Sequence, residues 1–166
     1  MAIKDSLLPE FDHEMGATRR VLERVPEADL AWKPHDKSFT LGQLAAHLAN
    51  IPHWIDMTLG HDMLDLDTLG EDARPRQPTS VGPILSAFDE HVKKGRAKLD
   101  AQTDPEMFSP WTLKKGDQTY FTMPKVAVWR NFIMNHIIHH RGQLTVYLRM
   151  RNVPLPALYG PTADEG

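Results

Sequence analysis

One long amphipathic stretch in the C-terminal third constrains this chain more than any other feature. From Met123 or Pro124 to Arg151, the residues Val126, Trp129, Ile133, His136, Ile137, His140, Leu144, Tyr147 and Leu148 recur at three- and four-residue steps. That spacing lines up one face of an α-helix. Thr122 offers a cap, and Pro124 falls in the first turn, where a missing N–H costs no hydrogen bond. About 28 residues at 1.5 Å each make a rod of about 42 Å. Such a rod buries its apolar stripe only against partners of comparable length, which makes a helical bundle the expected setting.

Three further stretches supply those partners. Leu7, Phe11, Met15, Val21 and Leu22 follow helical period between Ser6 and Arg24, with Asp5 as the expected cap and Val25-Pro26 as the stop. After Ser38 or Thr40, the residues Leu41, Leu44, Ala45, Leu48, Ile51 and Ile55 mark a second helix that Pro52 should interrupt. Ser80 as cap and Pro83 in the first turn introduce a third, carrying Ile84, Leu85, Phe88, Val92 and Leu99 to about Ala101.

The connections are unequal. The segment from Gly60 to Thr79, with Gly70, Pro75 and Pro78, is long for a compact domain. It fits a crossover joining parallel helices two and three, since an antiparallel pair needs only a short turn. Between Thr103 and Phe121 the period breaks, and Lys114-Lys115-Gly116-Asp117-Gln118 separates Trp111-Thr112-Leu113 from Thr119-Tyr120-Phe121, as in a β-hairpin or an extended loop. The tail from Asn152 to Gly166 is rich in Pro and Gly and is expected to drape over the bundle or a partner. The expectation is one all-α four-helix-bundle domain over residues 1–166, with its crossover between helices 2 and 3.

Composition narrows the chemistry. A net charge of −3 over 166 residues argues against a general nucleic-acid binder. The basic run of Lys93, Lys94, Arg96 and Lys98 reads as a solvated helix face. With no cysteine, the chain has neither a disulfide nor a thiolate ligand or nucleophile, so any metal must rest on nitrogen or oxygen. MAIKDSLLPEF lacks the apolar core of a secretory leader, and no window approaches the roughly 18 apolar residues of a membrane span. A cytoplasmic protein without membrane contact is the expectation.

Nine histidines remain to be placed. His136 and His140 are one turn apart on the inward face of the longest helix, where two imidazoles can grip one ion. Neutral imidazoles turned into a bundle need hydrogen-bond partners, and a cation satisfies both lone pairs together. The alternative is a pair that merely packs. His139 lies about 100° from its neighbour His140 around the axis, and His53 about 240° from His47, so both face elsewhere. His47, among Leu44, Ala45, Leu48 and Ile51, is the candidate third ligand. Three histidines leave an open coordination position for water or a thiol, the pattern of a catalytic rather than a closed site. Zinc and nickel are the first expectations, with iron and manganese also compatible, because imidazole discriminates weakly among divalent ions.

Two other metal patterns fail. Ile137 stands where a metalloprotease helix carries its glutamate, which disfavours peptide hydrolysis. Only Glu10 and His13 match the Glu-x-x-His spacing that di-iron bundles repeat.

The motifs Trp32-Lys33-Pro34, Ser38-Phe39-Thr40-Leu41-Gly42-Gln43-Leu44-Ala45-Ala46-His47-Leu48, Asn135-His136-Ile137-Ile138-His139-His140-Arg141-Gly142-Gln143-Leu144 and Tyr159-Gly160-Pro161-Thr162-Ala163-Asp164-Glu165 carry a resemblance. Over most of its length the chain resembles the DinB/YfiT-like superfamily of metal-dependent proteins. The resemblance implies a four-helix bundle with a long crossover, a divalent metal at His47, His136 and His140, and a homodimer. It further implies activation of a low-molecular-weight thiol, such as bacillithiol or mycothiol, toward an electrophile. A metal-dependent thiol S-transferase is the first functional expectation. A non-catalytic dimeric metal-binding or stress-response protein is the second, and a metal-dependent hydrolase using Asp56, Asp89 or Glu90 the third. Arg141 and Gln143 flank the second ligand with their roles open, and Trp54, Trp129 and Tyr147 could line a pocket beside the ion, although aromatic residues at helical spacing are more often core.

Overall fold

The computed structural model describes residues 2–69 and 76–166. Helix α1 spans Ile3–Leu22. It starts three residues before the expected Ser6, because the Asp5 carboxylate accepts the Ala2 N–H at 2.9 Å from inside the first turn instead of standing ahead of it as the cap. Helix α2, Leu41–Asn50, opens on a capping box in which Thr40 Oγ1 accepts the Gln43 N–H and Gln43 Oε1 accepts the Thr40 N–H, both at 3.1 Å. Pro52 has the anticipated effect. The chain tightens into a 3₁₀ turn over Ile51–His53 and resumes as α3, Trp54–Leu59.

Helix α4 occupies Gly82–Asp100, with Val81 rather than Ser80 in the cap position and Pro83 in the first turn. Short α5, Asp104–Phe108, is capped reciprocally by Thr103 and Glu106. The last rod is composite: α6 over Lys125–Val128, a π-helical segment over Trp129–Met134, and α7 over Asn135–Met150.

Helices α1, α4, α2 and α7 pack in a ring, so that consecutive α1 and α2 lie across a diagonal. Side-chain pairings fix the directions. Gly42 abuts Pro78, Ala49 receives His91, and Asp56 pairs with Lys98, a rising series that makes α4 parallel to α2. Arg19 pairs with Asp89 and Asp12 with Arg96, a falling series that makes α4 antiparallel to α1. The link between α2 and α4 therefore travels the length of the ring. Of the crossover expected over Gly60 to Thr79, Gly70 and Pro75 lie outside the described residues.

The expectation of a purely all-α bundle is overturned by a three-stranded mixed sheet, β1 at Met63–Asp65, β2 at Pro110–Lys115 and β3 at Gln118–Pro124. β1 runs parallel to β2, and β2 pairs antiparallel with β3. Gly116 makes the hairpin turn at φ 55°, a left-handed conformation that suits a residue without Cβ. Asp65 ties the strands together by accepting the Gly116 N–H at 3.0 Å and the Asp67 N–H at 3.1 Å. Those donors hold its carboxyl below the usual carboxylate range. Since β3 extends through Pro124, the final helix begins at Lys125 rather than at Met123 or Pro124.

The shared core contains Phe11, Leu22, Leu48, Ile55, Phe88 and Leu148, all buried. An ion pair is buried beside them. Arg141 meets the Glu14 carboxylate at 2.6 Å with its side chain 2% exposed. It also donates to the Glu14 carbonyl at 3.1 Å and to the Tyr159 hydroxyl, which in turn donates to Glu14 Oε2 at 2.8 Å. Through Tyr159 the tail is fastened to the bundle, and it closes on itself where Asp164 accepts the Leu155 N–H at 2.9 Å and Glu165 the Ala157 N–H at 3.1 Å.

Candidate metal centre

The helical ring brings His47 of α2 to His136 and His140 of α7. One ligating nitrogen from each of the three lies within 4.8 Å of the others, and among the described residues theirs is the group that can hold an ion. His47 Nε2 and His136 Nε2 are 3.2 Å apart. Two imidazoles on a tetrahedral zinc ion, with Zn–N of about 2.0–2.1 Å, place their nitrogens about 3.3 Å apart. The spacing of this pair suits a small divalent cation.

Hydrogen bonding supports the same donor set. His140 Nδ1 donates to Gln143 Oε1 at 2.7 Å, one turn along α7, since an amide oxygen only accepts. His136 bonds to the backbone of Phe132, at the π-helical turn preceding it, while its Nε2 faces His47. Both α7 histidines thus turn a lone pair toward the centre. A single N–H on His47 satisfies one of them, whereas an ion accepts all three nitrogens.

Burial and mutual repulsion keep the cluster neutral. Desolvation first, then the neighbouring His140 and His136, bring His47 down to about 4. Desolvation is also the main cause that lowers His136 and His140, opposed at His140 by the bond to Gln143. Neutral imidazole is the form that ligates.

His139 is exposed and stacks edge-on against the His140 ring at 4.8 Å, outside the cluster. His53 sits against His91, ring centres 5.1 Å apart. The three carboxylates considered for hydrolysis are engaged elsewhere: Asp56 with Lys98, Asp89 with Arg19 and Glu90 with Lys94.

A cavity of about 580 Å³ opens beside His47. One wall comes from α2 and α3, with Asn50, Trp54 and Met57; the facing wall comes from the sheet, with Leu64, Trp111 and Leu113. Trp54 bridges cavity and cluster, its ring centre 5.8 Å from that of His47 and 5.1 Å from that of His136. The aromatic residues weighed from the sequence divide accordingly. Trp54 is pocket wall, Trp129 is wholly buried core, and Tyr147 packs edge-on against Trp32. Sequence reasoning missed the roles of Gln143 and of the sheet residues. A glutamine three positions after the candidate ligand His140 was the available signal for the first, since i and i+3 share a helix face.

A ring of four helices with an inward three-histidine cluster that could hold a metal ion, beside a small flanking sheet, defines the architecture, and comparison with known proteins specifies the family. The DinB family model matches residues 1–166, and the chain belongs to the DinB family. YrdA of Bacillus subtilis (strain 168), an uncharacterized protein, is 26% identical over 161 residues, covering 97% of this chain and 90% of that protein. The crystal structure of a DinB-like protein from Bacillus cereus ATCC 10987 superposes with a TM-score of 0.74 at 23% identity, covering 95% of this chain and 98% of the other. The DinB-like protein YjoA from Bacillus subtilis gives 0.71 at 17% identity, covering 93% and 99%. Both share the fold. Among the described residues, no helix is long and apolar enough to cross a membrane.

Proposed function

We propose that this DinB-family protein holds one divalent ion, zinc or nickel first, on His47, His136 and His140, and that a low-molecular-weight thiol takes the open coordination position for transfer to an electrophile. The observation that carries the reading is the placement of the three-histidine cluster beside a cavity. Bound there, the ion supplies Lewis acidity that lowers the pKa of a coordinating thiol toward neutrality. The chain has no cysteine, so the thiol arrives as a cosubstrate. Gln143 and the Phe132 backbone orient the ligating rings. Trp54 screens one side of the cluster from water. A homodimer is part of the proposal: Val146 and Met150, one turn apart on α7, are 58% and 53% exposed, an apolar strip suited to a second copy.

Metal content by plasma mass spectrometry tests the first step, on untagged wild type, His47→Ala and His136→Ala purified identically. About one ion per chain in the wild type, lost from both variants, supports the site. Equal content in all three, or a wild type that cannot be loaded with zinc or nickel, refutes it. Calorimetric titration of the loaded protein with thiols then separates the readings: heat of binding supports a thiol cosubstrate, and its absence leaves a structural or sensory ion. A monomeric mass by light scattering at micromolar concentration removes the dimer.

A further inference from the structure

Among the described residues, the walls of the cavity beside His47 contain no Asp, Glu, Lys or Arg. From the sheet side come Leu64, Trp111 and Leu113, and from the helices Trp54, Met57 and Phe132. The ring N–H that the sheet wall could offer a polar ligand is already used, since Trp111 Nε1 donates to the Met57 carbonyl at 3.2 Å. Among the described residues, the lining's polar side-chain groups are those of His47, Asn50, His53 and Thr58 and the indole N–H groups of Trp54 and Trp111. At about 580 Å³ the cavity falls within the range of small-molecule sites, about 300–1,000 Å³.

A chamber of this kind selects by desolvation. Away from the His47 end, an ionised carboxylate or phosphate would give up its water for described walls that return no counter-charge, whereas an aromatic or branched aliphatic group gains by leaving water. We infer that the cavity takes an uncharged, largely apolar small molecule, aromatic or branched aliphatic, with one polar atom directed to the His47 end. Within the metal-dependent reading, on which its reactive end rests, this molecule is the electrophile or the apolar part of the thiol. Any anionic portion of a thiol lies outside the cavity.

Three probes test the inference on the full chain. N-phenyl-1-naphthylamine, an uncharged apolar fluorophore, is titrated into metal-free protein, where Trp54 and Trp111 report occupancy by quenching. Benzyl mercaptan and mercaptosuccinate, one apolar and one dianionic thiol, are titrated calorimetrically into zinc-loaded protein. The expectation is saturable naphthylamine binding and a preference for benzyl mercaptan of about tenfold or more. Leu113→Lys, and separately Leu66→Lys at a second half-buried lining position, should abolish dye binding and narrow that preference. Circular dichroism checks that each variant folds.

Dye binding without zinc binding leaves the cavity assignment standing and removes the metal reading. Zinc binding with equal affinity for the two thiols and no dye uptake removes the cavity assignment and leaves the metal reading intact. Dye binding that survives both lysine variants also overturns the assignment, because occupancy is then elsewhere.

Discussion

Gln143 accepts the Nδ1 proton of His140 at 2.7 Å, and in doing so decides which nitrogen of that ring faces His47 and His136. A histidine free to exchange tautomers spends part of its time with the wrong nitrogen protonated, and its ring is free to turn. Gln143→Ala should weaken zinc affinity by about 10–100-fold, the usual effect of losing an outer-shell partner. The change sits at an exposed position and should leave the fold intact. Competition against a chromogenic chelator measures it, and an unchanged affinity would show that His140 is held by packing alone.

Proton competition gives the pH dependence. His47 falls to about 4 in the folded chain from an ordinary 6.5, so between those values the unfolded chain binds more protons than the native one. Stability of metal-free protein should therefore decline as pH falls from 6.5 toward 4, with the His47 contribution to the slope ending near 4. Lowered His136 and His140 act in the same direction. Urea unfolding at pH 7.5, 6.5 and 5.5 should show a shallower decline in His47→Phe than in wild type. Bound zinc should be released only as pH falls toward 4, where the folded His47 begins to take up a proton.

The buried Arg141 and Glu14 pair makes a strong prediction because only one partner needs to go. Arg141→Met leaves Glu14, with a side chain only 8% exposed, without its cation, and should cost about 3–5 kcal/mol in chemical denaturation. The double change with Glu14→Leu removes both charges and should recover much of that loss. A double variant no more stable than the single one would indicate that the arginine acts through packing.

At Gly42 two effects oppose each other. Alanine gains about 1 kcal/mol in intrinsic helix preference over glycine. A Cβ there would stand 2.8 Å from Pro78 Cγ and 2.9 Å from the Leu30 carbonyl oxygen. Neither neighbour is the far end of a flexible side chain, and overpacking of this kind costs about 1–3 kcal/mol. Gly42→Ala should therefore destabilise the protein despite its helical position, as read from the midpoint of thermal unfolding. A raised midpoint would mean that the 76–78 segment yields.

Periodicity located the four long helices because each buries one face along many turns, and a repeated pattern of leucines and aromatics survives small errors of boundary. The three clustered histidines were equally open to inspection as candidates, since His136 and His140 share a face and His47 interrupts an otherwise apolar stripe. The sheet was not. β1 is only Met63–Asp65, and its partner Thr112–Lys114 lies about fifty residues away in sequence, so nothing local distinguishes it from loop. The hairpin was visible as one of two readings, yet its meaning depended on that distant strand. The partnership of Arg141 with Glu14 and Tyr159 is likewise a product of tertiary packing, which no spacing within one helix reveals.

The π-helical turn at Trp129–Met134 behaves as a one-residue insertion that the last rod has absorbed without rotating the residues beyond it. Removing one residue from an ordinary core helix swings everything downstream through about 100°. Here the same deletion, made at exposed Asn131, would take up the slack and leave His136 and His140 aimed at His47. Shortening by a single codon, normally the most damaging small change a buried helix can suffer, becomes at this place a change the architecture can accommodate.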